Sequence, residues 1–475
     1  MIMNPFRQDK SEFRALLQKY MKLKQGKTFT FIEEDEFEQI VEYFLNQDNQ
    51  EDALDAVIIA VDQFPYSSTL VLMKADVLLT LRRYEETLEV LENAELLNPN
   101  EISIYIIKTD ALLATDQQEL AAEVLESAFN LFEGQDKIEL LFELSDVYDD
   151  YENFDKVFEC LRIIIEIDCE NEEALYKICF WSDFTGRNEE SITIHKALIE
   201  KNPYSELGWF NLAAAYQGLK LYEKAIDAYQ YVVAINEKFD FAYRNMGDAY
   251  MRLKKYKEAI ECLEKVLMLS MPESVILEAI GHCYDKLNNH AQARFYYKKA
   301  CHFDNDDAHL HYKIACTYMN EGLFKNAIKS LQNPLNQHLM QPDYNLALGK
   351  CYFELENYDE AITYFGNVVR VRPKQISGWI ELLNCLYQAK LFEEGIEYAM
   401  AAFENTDTKP IFLYYKAAFY FANAQSKEAL IQLENALTLK PKLMKQFIEI
   451  NPSILRNQSV VDLIARYKSS KIRKR

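Results

Sequence analysis

Two stretches of this chain lie over one another without a gap at a spacing of 34 residues. Trp209, Leu212, Ala213, Tyr216, Tyr222, Ala225, Tyr229 and Val232 are each followed, 34 positions on, by Tyr243, Met246, Gly247, Tyr250, Tyr256, Ala259, Leu263 and Val266. A fixed period of this length restricts the chain to a repeat architecture, in which each copy is one supersecondary unit that buries its apolar side against the next. Stepping by 34 from Glu206 in both directions gives twelve units, beginning at Glu34, Ser68, Ile102, Ile138, Glu172, Glu206, Asp240, Ser274, Ala308, Pro342, Ile376 and Pro410. The count slips once, by two residues at Gly134 and Gln135. Position 20 tests the register: it holds Ala53, Thr87, Ala121, Val157, Ser191, Ala225, Ala259, Ala293, Ala327, Ala361, Gly395 and Ala429, nothing larger than Val. A small residue is required where two helices cross closely. Tyr recurs at position 11, and Pro65, Pro99, Pro203, Pro373 and Pro441 fall at position 32, where a helix has ended.

The order aromatic, Leu, small, Tyr, then Ala and a second aromatic resembles the tetratricopeptide (TPR) repeat. The resemblance implies an all-α fold: a right-handed α-solenoid, or superhelix, of about twelve helix–turn–helix units with helical caps. Residues 1–33 would be an N-terminal helical cap or arm, with a helix over 11–23. Residues 34–443 would be the repeats. Residues 444–475 would be capping helices, over 445–450 and 459–467, and a basic tail expected to fray. The β-prone run 28–32 has no place in the pattern.

A net charge of −23 argues against a nucleic-acid binder, which needs a basic surface to meet phosphates. No run of 18 apolar residues exists, so no membrane insertion is expected. The nine Cys form no Cys-x-x-Cys pair, and Cys283, Cys351 and Cys385 share position 10. They read as buried, reduced thiols of a cytoplasmic protein.

Motifs for catalysis, cofactors and metals are missing, so no enzyme activity, cofactor or metal site is expected. The cluster His302, Asp304, Asp306, Asp307, His309 and His311 fails as a calcium loop, because His309 and Ala315 stand where Gly and Glu are needed. His309 and His311 point in nearly opposite directions on a helix. Thirteen carboxylates lie between Ile138 and Glu173, across the fourth unit and the start of the fifth, spaced as on a solvated helix face. Pro334 should end or kink the second helix of the ninth unit, with a loop over 336–341.

On the first helix of a unit, positions 4, 7, 8 and 11 share the core side, while positions 2, 5, 9, 12 and 13 lie about 140° away. In TPR proteins the second set lines the concave groove that binds partners, so the resemblance makes it the candidate site. Its first part is acidic: Glu42, Asp76, Asp110, Asp146, Asp149 and Asp150. Its centre is aromatic and partly basic: Tyr176, Phe180, Phe184, Phe210, Gln217, Phe241, Arg244, Asp248, Arg252 and Tyr312, with Tyr414 further on. Asn211 and Asn245, at position 6, resemble the Asn with which peptide-binding TPR domains hold a backbone amide. The carboxylate clamp of chaperone-binding TPR domains is absent, since Phe210, Ala214, Glu278 and His282 occupy its positions. The expected function is a non-enzymatic scaffold for an extended protein or peptide segment with basic and apolar residues. The alternative is a regulatory subunit or adaptor that docks a separate enzyme through its C-terminal repeats.

Overall fold

A computed structural model of the chain describes residues 5–26, 31–303, 307–332 and 341–472. These residues form 27 α-helices and two short 3-10 turns, and no strand occurs among them. The fold is an all-α repeat solenoid. It divides into two compact units, Met1–Ala242 and Tyr243–Arg475.

In the N-terminal unit the helices follow one another as antiparallel pairs: Glu34–Asn46 with Gln50–Gln63, Ser68–Thr80 with Tyr84–Leu97, Ile102–Leu113 with Gln118–Ala128, Gly134–Asp150 with Phe154–Ile167, Glu172–Phe184 with Asn188–Lys201, and Glu206–Gly218 with Tyr222–Ile235. The unit boundary falls inside the next helix, Asp240–Arg252, which precedes Tyr256–Leu269. The C-terminal unit continues with Ser274–Lys286 and His290–Cys301, Ala308–Asn320 and Phe324–Leu331, Pro342–Glu354 and Tyr358–Val371, Ile376–Gln388 and Phe392–Asn405, and Ile411–Ala422 and Ser426–Leu439. The two residues added at Gly134 lengthen the first helix of the fourth pair to 17 residues, and Gly134 enters it at φ +59°.

Each pair is closed by the same turn. The fifteenth residue of every pair is left-handed, with φ between 56° and 72°, although only Gly186 and Gly322 among the twelve are glycine. The conformation is held by a backbone bond from the following N–H to the carbonyl five residues back, such as Leu221 N to Tyr216 O at 2.9 Å. This is the closure that satisfies otherwise orphaned carbonyls at a helix end.

Position 20 is buried in all twelve pairs. The helices of a pair approach so closely that a Cβ on Gly281 would sit 2.7 Å from the Tyr297 ring. Close packing of this kind is what the small-residue columns make possible.

Helix Pro5–Lys24 is longer than the expected 11–23. It lays Leu16 and fully buried Tyr20 against Phe37, Ile40 and Phe44 of the first pair. Lys24 ties it down through Asp52 at 2.7 Å and Asp55 at 2.8 Å. At the other end, Met444–Ile450 and Gln458–Ile472 follow the last pair, with 3-10 turns at Pro441–Leu443 and Pro452–Arg456. Helix Gln458–Ile472 runs into the basic tail expected to fray, and residues 473–475 lie outside the described residues. Phe447, Ile454, Val460 and Ile464 pack on Leu413, Tyr414, Ala417 and Ala418. This corrects the reading of Tyr414 as a groove residue. It is fully buried beneath the C-terminal helices and donates its hydroxyl to Lys440 O at 3.0 Å. Residues 28–30, Asp304, Asp306, Pro334 and 336–340 lie outside the described residues.

Candidate interaction surface on the first helices

In the N-terminal unit, the first helices of the second, third and fourth pairs touch in succession, as do those of the fifth and sixth, and Lys177 of the fifth reaches Asp146 of the fourth, so their free sides form one surface. Helix Glu172–Phe184 starts cleanly: Asn171 accepts from Ala174 N at 2.9 Å as its N-cap. Ala174, Leu175, Ile178 and Ser182 take its core side. That orientation turns Tyr176, Phe180 and Phe184 outward, 58%, 60% and 57% exposed. Phe180 and Phe184 stack at 5.8 Å, and Trp181 sits edge-on to both, at 5.0 and 5.5 Å. Phe154, from the preceding pair, stacks on Trp181 at 5.3 Å and meets Phe184 edge-on at 4.9 Å. The cluster is therefore braced from behind while Phe180 and Phe184 remain in water. Trp181 and Phe154 were missed because they occupy columns that belong to packing, positions 10 and 17.

Acidic side chains approach one another on the helices before it. Asp76 and Asp110 are solvent-accessible, yet surrounding protein desolvates each carboxylate and raises its pKa, and Asp110 is raised further by Asp76. Glu143 is the most crowded. Burial raises its pKa, and the charges of Asp110, Asp146 and Glu139 add to the effect. Glu143 was not singled out in the sequence because position 6 is not a groove position by helical geometry. Lys177 is the cation beside this ladder, 3.4 Å from Asp146 and 3.0 Å from Glu173. Its ammonium also lies 5.0 Å from the centre of the Phe142 ring. Glu42 lies away from the ladder, exposed and acting on Glu38 instead. Asp149 and Asp150 are exposed one turn beyond Asp146.

The remaining expected residues fall into different environments. Phe210 is half-buried, 5.7 Å from the Tyr229 ring and 5.3 Å from Phe239. Asn211 does not face a partner: it is 2% exposed and donates Nδ2 to Leu175 O at 2.7 Å, bolting the sixth pair to the fifth. Gln217 is half-buried and accepts from the Tyr229 hydroxyl at 3.3 Å. Phe241 is 57% exposed. In the C-terminal unit, Arg244 pairs with Glu273 and Arg252 with Asp248 at 3.5 Å. Asn245 is half-buried there, and so is Tyr312, whose ring is 5.1 Å from that of Tyr344 and whose phenol is pushed up by burial.

The family described as "Tetratricopeptide repeat" matches residues 208–239, 241–270 and 346–410. That described as "Anaphase-promoting complex, cyclosome, subunit 3" matches 281–368. The chain is a tetratricopeptide repeat protein. Among solved structures, this TPR protein is similar to the C-terminal part of a TPR repeat-containing protein from Cytophaga hutchinsonii (20% identity, 51% of this chain and 99% of that one, TM-score 0.44). It is also similar to the TPR protein YrrB, described as having an unusual peptide-binding site (21%, 39% and 95%, 0.35). A third is the APC/C hetero-tetramer Cut9–Hcn1 (12%, 84% and 97%, 0.34). No curated protein matches the sequence.

TPR proteins bind peptides or proteins, and the family is generally non-catalytic. In this TPR chain no group of three or more His, Cys, Asp or Glu side chains gathers as metal ligands among the described residues. His309 stands 3.9 Å from Glu278, and His311 is half-buried in its helix. No described helix is long and apolar enough to cross a membrane. Burial pushes the thiols of Cys160, Cys283, Cys351 and Cys385 up to about 12, which leaves them protonated and poorly nucleophilic at neutral pH.

Proposed function

We propose that this protein is a non-enzymatic scaffold that binds an extended segment of a partner along the first helices of its N-terminal unit. The observation that carries this reading is the run of exposed rings Tyr176, Phe180 and Phe184 beside the carboxylate ladder Asp76, Asp110, Glu143 and Asp146. Like charges held close together are costly, and a cationic side chain between them relieves the cost. Exposed, pre-braced rings supply desolvation energy to an apolar anchor. The matching segment carries Lys or Arg towards the second helix pair and apolar side chains towards the fifth and sixth. Phe210, Gln217 and Phe241 extend the apolar end. In the C-terminal unit, Arg244, Asn245, Asp248, Arg252 and Tyr312 belong to the same kind of surface. Nucleic acid is not the partner, since the acidic face repels phosphate.

In this reading residues 1–33 form an N-terminal cap, 34–443 the repeats and 444–475 a C-terminal cap. The nine free thiols fit a reducing, cytoplasmic setting. The match to a family described as a subunit of the anaphase-promoting complex favours a second reading, in which the chain is an adaptor within a larger assembly.

Affinity purification on the full chain, with mass spectrometry of what is retained, supplies the partner. Surface plasmon resonance then tests the surface. Asp110→Asn with Asp146→Asn should slow association and flatten its salt dependence, because exposed charges steer encounter over about 8 Å at physiological ionic strength. Glu92→Gln with Glu123→Gln, exposed on second helices, should change neither. If the second-helix pair weakens binding and the first-helix pair does not, the surface assignment is wrong.

A further inference from the structure

The second helix of the ninth pair, Phe324–Leu331, is the shortest of the twelve second helices: eight residues against 14 in the tenth pair. Position 4 of its partner helix holds His311, where ten of the twelve pairs hold an apolar or aromatic residue such as Leu277 or Trp379. Among the described residues, a short second helix and a polar side chain in an apolar column leave packing space unfilled. The result is a cleft of about 910 Å³ between helices His290–Cys301, Ala308–Asn320 and Phe324–Leu331. Its floor is apolar, with Ile314 and Ile328, and its walls carry Lys298, Lys325 and Lys329.

None of the described residues lining the cleft is an acid; Asp304 and Asp306 lie outside the described residues. In a chain with 75 acids against 52 Lys and Arg, that composition is unexpected. Nearby cations are neutralised, Arg294 by Glu321 at 2.8 Å and Lys313 by Glu278. Asp307, the acid at the start of the neighbouring helix, is committed to capping it through His309 N at 2.8 Å and Leu310 N at 3.3 Å. Lys298, Lys325 and Lys329 are exposed, and none makes an ion pair among the described residues.

We propose that this cleft docks an acidic segment of a partner protein, its carboxylates against Lys298, Lys325 and Lys329 and an apolar side chain over Ile314 and Ile328. The cleft offers three ammonium groups and no guanidinium. Ammonium groups act as separate point charges without the planar fork that grips a single phosphoryl group, so they suit a spread of Asp and Glu. The site is independent of the N-terminal surface: it lies in the other unit and selects the opposite charge.

The test uses the full chain and a short fluorescein-labelled peptide of Asp and Glu around a central Leu, read by fluorescence anisotropy. Its Asn/Gln counterpart and a singly phosphorylated Ser peptide are run in parallel. The acidic peptide should bind, more weakly as salt is raised, and the Asn/Gln peptide should not. Lys298→Gln with Lys325→Gln and Lys329→Gln should weaken binding by roughly tenfold or more. Removing three exposed charges elsewhere in the same unit, Lys257→Gln with Lys265→Gln and Lys427→Gln, should leave it within about twofold. Unchanged thermal melts establish that both variants are folded. Equal losses in the two variants, absence of binding, or preference for the phosphorylated peptide would each overturn the proposal.

Discussion

The fifth and sixth helix pairs share a backbone plan and differ in where they keep their large and polar side chains. In the fifth, Tyr176, Phe180 and Phe184 face water, while His195 and Ser191 are buried with neither imidazole nitrogen nor the hydroxyl hydrogen-bonded. In the sixth, the equivalent outward positions hold half-buried Phe210 and Ala214 and exposed Gly218, and the equivalent core positions hold Tyr229 and Ala225. At these compared positions the sixth pair leaves no ring more than half exposed and buries no unpaired polar group. The fifth inverts this arrangement. Packing alone gives no reason to put rings outside and an imidazole inside, and such local violations gather at functional sites. On the proposed reading, the fifth pair is a part of the N-terminal unit where stability is traded for a binding surface.

The largest expected effect tests the outside of that inversion. Phe180→Ala with Phe184→Ala should accelerate dissociation of the partner strongly, because desolvated aromatic anchors typically cost about 2 kcal/mol or more each when truncated. The fold should be nearly indifferent, since both rings are more than half exposed and Trp181 and Phe154 retain their own stacking. Surface plasmon resonance and thermal melts on the same samples separate the two. A large loss of thermal stability with unchanged dissociation would mean that the rings serve packing, and the contrast with the sixth pair would collapse.

The inside of the inversion has a pH signature. Burial pushes His195 from 6.5 down to about 4, so the folded protein holds it neutral while the unfolded chain protonates it readily. Its contribution is fully present above pH 6.5 and is lost as pH falls from there towards 4, because the unfolded state gains a proton that the folded state refuses. Between pH 7.5 and pH 5 the loss should be about 2 kcal/mol. His195→Leu removes both orphan nitrogens at similar volume. It should stabilise the protein at pH 7.5 by about 1–3 kcal/mol, and by more at pH 5. Urea denaturation of both forms at the two pH values measures it. The carboxylates are common to both forms, so only the difference between them reports on His195. A constant difference across pH would show that the imidazole is not buried neutral.

How much of this could be read from the sequence differs by feature. Column 20 and the Tyr column are visible because their constraint acts on side chains: a close crossing admits only a small residue. The left-handed turn at position 15 is invisible because its constraint acts on the backbone. The hydrogen bond from Leu221 N to Tyr216 O, and its equivalents, impose the conformation on Arg82, Lys220 and Lys254 as readily as on glycine. Within the site, the exposure of Tyr176, Phe180 and Phe184 follows from helical spacing alone. Phe210 shares the position of Tyr176 but finds Tyr229 and Phe239 beside it, a tertiary circumstance with no local signal. Tyr414 was misplaced for a similar reason, since the helices that bury it lie outside the repeat pattern. His195 was passed over because it stands in a column that is otherwise apolar.

The smallest effect separates the two pairs at a single shared position. Position 6 is Lys177 in the fifth pair and Asn211 in the sixth. Asn211 makes a buried bond to the backbone of the fifth pair, so Asn211→Ala should destabilise the protein by about 1 kcal/mol, the usual net worth of such a bond, without altering partner kinetics. Lys177 makes two partly exposed ion pairs, with Asp146 and Glu173, and such pairs contribute about 0.2–1 kcal/mol at most. Lys177→Gln should therefore barely change the urea midpoint. It should instead raise the association rate of a cationic partner by about twofold at low salt, with the gain vanishing at high salt, because it deepens the negative potential of the Asp110, Glu143 and Asp146 ladder. If Asn211→Ala slows association and Lys177→Gln only destabilises, the roles are reversed. The partner would then lie over the sixth pair, on the amide-binding surface to which the tetratricopeptide resemblance first pointed.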